Sequence, residues 1–340
     1  VSGEIPLGAL RLSGGLRIEK NRQELTTFAY QTSGPLAGLK YDLNRLNTSS
    51  LPSVNIQYSL GDKSLLRAAY FKTLNRPEFR EIASFFYKDY YTGRLAYGNP
   101  ELEIQTDIDN IDLRFEHYPG EGEILTFGAF YKKFKNPIEF YYYVGTSSRN
   151  NFQWGNAASA LNYGLELELI LGLNRFFSGG AWASKQLQKI SLLLNASYVH
   201  SEVDLGSKAG IQDKNRPMYG QSPYLINSSI YYTSKEDGLN LSLSYNVIGK
   251  RLFGIGNIDY PSIYEMPRHL LDLTFSKKIA RIWEINGGIQ NILNTRSFQL
   301  QDVNKDGKYK VSEGDFHAID NLYESTYTGA YFTLGIGIRL

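Results

Sequence analysis

Cysteine is absent from this 340-residue chain, and methionine occurs only twice. Without cysteine there is no disulfide framework, no thiolate metal site and no cysteine nucleophile. An excess of one charge is missing as well, because 36 Lys and Arg against 34 Asp and Glu leave a formal +2. Nucleic acid is therefore not an expected partner, since phosphate backbones are met by clearly basic surfaces. No run reaches the ~18 apolar residues that mark a membrane-spanning helix. The chain opens Val1-Ser2-Gly3-Glu4-Ile5-Pro6 with no basic n-region or apolar h-region. It reads as chain already under way, and the expectation is a piece of something larger. The motifs of common enzymes are missing too. His117, His200, His269 and His317 form no H-E-x-x-H spacing, and neither G-x-S-x-G nor a P-loop occurs. No enzyme is expected.

Tyrosine, phenylalanine and glycine are abundant, at 26, 18 and 32 residues. The aromatic share favours strands. The dominant signal is alternation with period 2. Val54, Ile56, Tyr58 and Leu60 alternate with Ser53, Asn55, Gln57 and Ser59. Ile111, Leu113 and Phe115 alternate with Asn110, Asp112, Arg114 and Glu116, and Leu165, Leu167 and Leu169 with Glu166 and Glu168. Leu239, Leu241, Leu243, Tyr245 and Val247 repeat the pattern, as do Phe332, Leu334, Ile336, Ile338 and Leu340. Successive side chains of a strand point to opposite faces, so each segment has one apolar and one polar face.

A soluble sandwich would turn the apolar faces inward, whereas a transmembrane barrel turns them to lipid and lines a wet lumen with the polar ones. Segment and connection lengths decide. The segments run roughly 8–13 residues, near the ~9–11 that cross a bilayer at a tilt. Short connections at 61–64, 119–123, 234–238 and 279–281 alternate with long ones at 74–106, 135–160, 200–223, 249–269 and 292–328. The segment 172–189 must be a short-side turn despite its length. Short turns on one side and long loops on the other characterise outer-membrane barrels. The predicted fold is all-β, a transmembrane antiparallel β-barrel contributing about 12 strands, the first beginning at Leu10. Lipid should meet Leu113, Phe115, Leu165, Leu167, Leu241, Leu243, Ile336 and Ile338. Gly14-Gly15, inside a strand, reads as a close-packing or bend site.

Several phrases then point to a family. They are Leu51-Pro52-Ser53-Val54-Asn55 with Leu66-Arg67-Ala68-Ala69-Tyr70 and Thr73-Leu74-Asn75-Arg76-Pro77, and Tyr97-Gly98-Asn99-Pro100-Glu101-Leu102. Gly128-Ala129-Phe130-Tyr131 with Asn162-Tyr163-Gly164-Leu165, Gly220-Gln221-Ser222-Pro223-Tyr224-Leu225-Ile226-Asn227 and Leu293-Asn294 after Gln290-Asn291 continue them. In that order they resemble the C-terminal barrel of TonB-dependent outer-membrane receptors. The resemblance implies a barrel of about 22 strands with a plug domain inside. Residues 1–340 would be the C-terminal portion of that barrel, with neither plug nor TonB box in view. It departs from the family in ending Arg339-Leu340 rather than on an aromatic residue. The implied function is energy-dependent uptake of an extracellular ligand such as a siderophore, haem, cobalamin, glycan or peptide. The implied partners are the outer membrane, the plug and remaining strands, the TonB complex and a surface lipoprotein or other protein. A structural or secretion-associated barrel that binds a protein partner without gated transport is the alternative.

Two local features carry chemistry. Asp302-Val303-Asn304-Lys305-Asp306-Gly307, followed by Glu313, satisfies D-x-[DN]-x-[DN]-G-x5-E. Such a loop offers hard oxygen ligands from Asp302, Asn304, Asp306 and Glu313 and the Lys308 carbonyl, the set calcium takes. A structural Ca2+ is the cofactor expectation, and a solvated polar turn is the bland alternative. The second feature is aromatic. Phe85, Phe86, Tyr87, Tyr90 and Tyr91 lie in one loop with Arg76 just ahead of it. Rings interleaved with cations can contact a ligand. The plainer reading, that they pack loop against loop and join the aromatic girdle at the membrane interface, is favoured.

Overall fold

A computed structural model of the chain describes residues 1–28, 39–88, 95–143, 151–175, 185–206, 215–256, 261–279, 282–304, 307–309 and 320–338. Thirteen strands follow one another in a single antiparallel succession, each bonded to its predecessor. They are β1 (Ser2–Leu7), β2 (Leu10–Phe28), β3 (Lys40–Ser59), β4 (Ser64–Asn75) and β5 (Thr106–His117). Next come β6 (Ile124–Lys135), β7 (Ser159–Gly172), β8 (Ile190–Asp204) and β9 (Tyr224–Ser234). The last are β10 (Leu239–Ile248), β11 (Arg268–Ile279), β12 (Trp283–Gln290) and β13 (Tyr331–Ile338). The twelve expected strands are all present, and β1 is an addition ahead of them. It turns at Gly8 and pairs with β2 from Leu7–Leu10 to Ser2–Gly15. A Cβ on Gly15 would stand 3.1 Å from the Val1 carbonyl, so this glycine serves the close approach of β1.

The cross-strand register sorts the outer face into rows. Leu66, Phe115, Phe127, Leu167 and Ala196 are successive partners, and the next row is Ala68, Leu113, Ala129, Leu165 and Tyr198. Above them lies a row of Tyr70, Ile111, Tyr131, Tyr163 and His200, then one of Lys72, Asp109, Lys133, Leu161 and Glu202. The apolar band thus gives way to rings and then to charges, as the hydrocarbon gives way to the interface. Of the eight residues expected to meet lipid, Leu113, Leu165, Leu241, Leu243, Ile336 and Ile338 are exposed and Phe115 and Leu167 half-exposed. None is packed in a dry interior.

The side where turns are short is built economically. Gly61 and Gly238 adopt φ of +71° and +58°, the left-handed region a tight reversal needs. The longer turn after β7 starts with a 3-10 segment, Leu173–Arg175. Arg175 reaches across to Glu123 in the neighbouring turn, whose carboxylate also accepts the Gly172 N–H at 3.1 Å.

On the other side the long connections carry strands of their own. One four-stranded sheet runs Phe86–Lys88, Leu95–Tyr97, Asn151–Asn156, Ile138–Tyr143, and a second runs Arg251–Gly254, Ile263–Glu265, Ser297–Gln301, Asn321–Thr326. Each combines two different loops. Most of the fully buried apolar side chains, Ile82, Leu102, Phe152, Leu205, Leu252 and Leu300, lie in the long connections, and Val203 lies at the loop end of β8. The protein is dry in its loops and apolar on its outer wall.

Candidate functional site: loops and inner wall

The first loop sheet is held by its rings. Phe140 stacks on Phe152 at 4.7 Å and meets Trp154 at 4.6 Å, and the Trp154 indole donates to the Tyr87 hydroxyl at 3.2 Å. Phe86 packs against Tyr97 at 5.5 Å, and the Arg80 guanidinium lies 5.8 Å from the Tyr87 ring centroid. Phe86 and Tyr87 are therefore half-buried in loop packing, whereas Phe85 is exposed. Tyr90 and Tyr91 lie outside the described residues. Arg76 is tied to Glu19 at 3.0 Å, and its Nε and Nη2 have no hydrogen-bond partner. Of the four described candidates, Phe86 and Tyr87 are taken up by the loop sheet and Arg76 by Glu19. The Phe85 ring is exposed, whereas the two unpartnered Arg76 nitrogens are buried.

The Tyr97–Leu102 phrase has a local purpose. A Cβ on Gly98 would fall 2.3 Å from the Ala83 carbonyl, so only glycine lets the chain pass there. Asn99 donates to the Trp154 carbonyl at 3.1 Å and accepts from the Glu101 N–H at 2.9 Å. Arg45, on the β2–β3 ribbon, donates to the carbonyls of Pro100 and Leu102. Thr27 and Ser84 bond hydroxyl to hydroxyl at 2.6 Å, a second tie between ribbon and loop.

A buried ion pair went unseen in the sequence. Glu139 of the loop sheet and Arg216, beside the end of β8, meet at 2.8 Å with side chains 2% and 4% exposed. Burial raises the Glu139 carboxyl above its ordinary range, and the Arg216 charge opposes that rise. The neighbouring Tyr141 hydroxyl is raised too, mainly by burial. The two partners lie 77 residues apart, and no spacing rule connects them.

In the candidate calcium loop, Asp302 is buried and its carboxylate accepts the Gly307 N–H at 2.7 Å, with Gly307 at φ +74°. Asn304 and Lys308 are exposed. Asp306 and Glu313 lie outside the described residues. Among the described residues no group of three or more His, Cys, Asp or Glu gathers in metal-binding array. The Lys250 ammonium lies 4.2 Å from the Tyr309 ring centroid and 4.9 Å from that of Tyr264. Burial lowers its pKa, and the charge of Asp302 works the other way. Through Tyr309 the motif is packed against the preceding loop.

The inner face of the sheet is charged on one side. Glu116 stands 3.0 Å from Arg67 and 3.2 Å from Arg114, which also reaches Glu168 at 3.2 Å. Tyr118 donates to Glu116 at 2.8 Å. Charges spaced two apart on one strand, Arg114 with Glu116 and Glu166 with Glu168, were the signal for this network.

Residues 1–292 match the family described as TonB dependent receptor-like, beta-barrel. The chain belongs to the TonB-dependent receptor β-barrel family. Solved structures of similar fold include a ferric enterobactin receptor (PfeA) mutant from Pseudomonas aeruginosa, with 16% identity and a TM-score of 0.54 over 87% of this chain and 48% of that one. The copper transporter OprC is 14% identical with a TM-score of 0.63, over 97% of this chain and 46% of that one. The ferric-catecholate import receptor Fiu from K12 E. coli is 10% identical with a TM-score of 0.63, over 97% and 42%. The chain spans about half the length of the solved structures it matches. No curated protein matches it. As a TonB-dependent receptor barrel the chain is an outer-membrane protein, and its family consists of transporters rather than enzymes. No described helix is long and apolar enough to cross a membrane, and the crossing is made by strands.

Proposed function

We propose that residues 1–340 form the C-terminal portion of a larger barrel that imports an extracellular ligand with energy delivered through TonB. The observation that carries this reading is the sheet itself. Its outer face is apolar in register, its lumen face is charged and hydrogen-bonded, and its ends are unpaired. Among the described residues neither β1 nor β13 has a second main-sheet neighbour. Unpaired strand edges cannot be left in hydrocarbon, so further strands of the same receptor would close the wall. A plug within that barrel would meet TonB, and this chain supplies wall and loops. A surface lipoprotein or other protein partner would dock on the loop side. Exposed Phe85 is the first point of ligand contact in this scheme, with Arg76, Phe86, Tyr87, Tyr90 and Tyr91 as the further ligand-binding candidates.

The test is genetic. Strains lacking the receptor and strains lacking TonB are grown on limiting iron chelates, haem, cobalamin, glycans and peptides. The reading expects one nutrient on which both fail and on which the double deletion is no worse. A receptor deletion that impairs assembly or secretion at the cell surface, with no nutrient defect, would instead favour the structural barrel.

We further propose that Asp302, Asn304, Asp306, the Lys308 carbonyl and Glu313 bind a structural Ca2+ that orders the last extracellular loop. The complete motif supports this, as does the buried Asp302 carboxylate folded back onto Gly307.

A further inference from the structure

The two loop sheets are distinct in their strand pairing, yet one short stretch of chain is bonded to both. It is Arg216-Pro217-Met218-Tyr219-Gly220-Gln221-Ser222, which leads into β9. Its first part is anchored to the first loop sheet. Arg216 holds Glu139 at 2.8 Å, and the same carboxylate accepts the Tyr219 N–H. The Tyr219 ring meets Phe140 at 5.8 Å. Glu139 and Arg216 are both buried, so neither charge has water to turn to if the other moves. Met218 fixes the middle of the stretch to the barrel rim. Its N–H donates to the Ser201 hydroxyl of β8 at 3.1 Å, and its sulfur accepts from Asn162 of β7 at 3.4 Å. Its side chain packs on the cluster of Ala157, Ala160, Val203 and Leu205, as does Tyr141 of the first sheet.

The second part is anchored to the second sheet. The Gln221 N–H donates to the Met218 carbonyl at 3.1 Å and closes a four-residue turn, with Gly220 at φ +74°. That turn presents the Gly220 N–H to the Leu252 carbonyl at 2.9 Å. Leu252 is wholly buried within Arg251–Gly254 and stands opposite Tyr264 in register. The Ser222 hydroxyl lies 3.1 Å from the Gly249 carbonyl, just ahead of the same strand. Arg251 then reaches Glu265 on the next strand at 2.7 Å.

Seven residues bonded at both ends and pinned in the middle have little slack, and moving one end alone breaks buried bonds at the other. Elements joined in this way share their opening equilibrium and behave as one cooperative unit. We infer that residues 216–222 are a coupling strap: the two loop sheets open and close together, and occupation of either by a ligand or partner changes the stability of the other. Such coupling acts equally in both directions. It holds whether or not the receptor imports a ligand. It also gives the phrase beginning Gly220-Gln221-Ser222 a local purpose, because Gly220 supplies the left-handed turn and Ser222 the tie to Gly249.

Hydrogen exchange read by mass spectrometry on the intact receptor in lipid nanodiscs tests the strap from both ends and from the middle. Phe152→Ala loosens the first sheet, where Phe152 is buried against Phe140, and Leu252→Ala loosens the second. Each is expected to speed exchange about tenfold or more in the sheet it does not belong to, at Arg251–Gly254 and Ile263–Glu265 or at Ile138–Tyr143. Gly220→Ala belongs to neither sheet. A Cβ there meets no atom within 4 Å, so it strains only the turn, and it should speed exchange severalfold in both sheets at once. Unchanged exchange in the turn at 234–238, on the opposite side of the barrel, confirms that the wall is intact. Acceleration confined to the sheet that carries the substitution would overturn the proposal. If Phe152→Ala or Leu252→Ala prevents assembly, Gly220→Ala decides alone, and an effect on one sheet or on neither refutes the strap.

Discussion

Replacing Leu113 by arginine probes the lipid-facing assignment where it is most exacting. Leu113 lies four residues from Asp109, in the row where charges begin, and four from His117, at the short-turn end of β5. At ~3.4 Å per residue each arm is about 14 Å of strand, or about 10 Å of depth at a ~40° tilt. That places Leu113 near the mid-plane, where an arginine on the lipid face costs roughly 2–4 kcal/mol. The folding equilibrium should fall by a factor of roughly 30 to 900. Leu165→Arg, in the same row, should behave alike. Leu161→Arg, in the charged row, should cost about 0–1 kcal/mol, as should Glu166→Arg on the wet lumen face. The assay is reversible unfolding of the intact receptor in phospholipid vesicles by denaturant, with free energies from linear extrapolation. A Leu113→Arg cost no larger than that of Leu161→Arg would mean that this face never meets hydrocarbon, and the reasoning from register to depth would fail.

The remaining predictions concern the loops. Arg216→Ala leaves Glu139 buried without its partner, and the loss should be about 3–5 kcal/mol of local stability. It should appear as faster hydrogen exchange in Ile138–Tyr143 and Asn151–Asn156, while the double replacement Glu139→Leu with Arg216→Met restores protection; unchanged exchange in Arg216→Ala would show the pair to be idle. In the short-side turns, the hydrogen bond from Arg175 holds the Glu123 carboxyl below its ordinary range. The sign follows: the clamp's contribution is complete above the unfolded glutamate value of about 4.5 and is lost as pH falls through the depressed one. Arg175→Ala should move the Glu123 titration upward, read by carboxyl chemical shift, and no movement would remove the clamp. Calorimetry on the intact receptor should show calcium heat that Asp302→Ala or Asp306→Ala abolishes, with chelation loosening the last long loop and leaving the barrel folded. Calcium heat that survives both substitutions would reduce the motif to a polar turn.

Alternation made the transmembrane sheet legible because a strand with one face in lipid and one in water must repeat every second residue. The same logic hid β1. Gly3, Pro6 and the reversal at Gly8 break the pattern, and every residue of that strand is exposed. The loop sheets were hidden for another reason. Their strands are as short as Phe86–Lys88, and that strand's neighbour, Leu95–Tyr97, pairs with Asn151–Asn156 from a different connection. Neither length nor local spacing can report such pairing. Gly98 and Asn99 were visible as a family phrase, but their work, passing under Ala83 and tying Trp154, belongs to tertiary contact. The Arg76–Glu19 tie was invisible in the same way, since its partners lie on β2 and just after β4, far apart in the sequence.

The most direct test of the central claim is the structure of the intact receptor in a lipid nanodisc. The free edge of β13 should be hydrogen-bonded to a strand outside residues 1–340, within a closed barrel whose lipid contacts include Leu113, Leu165 and Ile336. Hydrogen bonding of β13 to β1 or β2 in a self-contained barrel would contradict the account, as would Leu113 packed in a dry protein core.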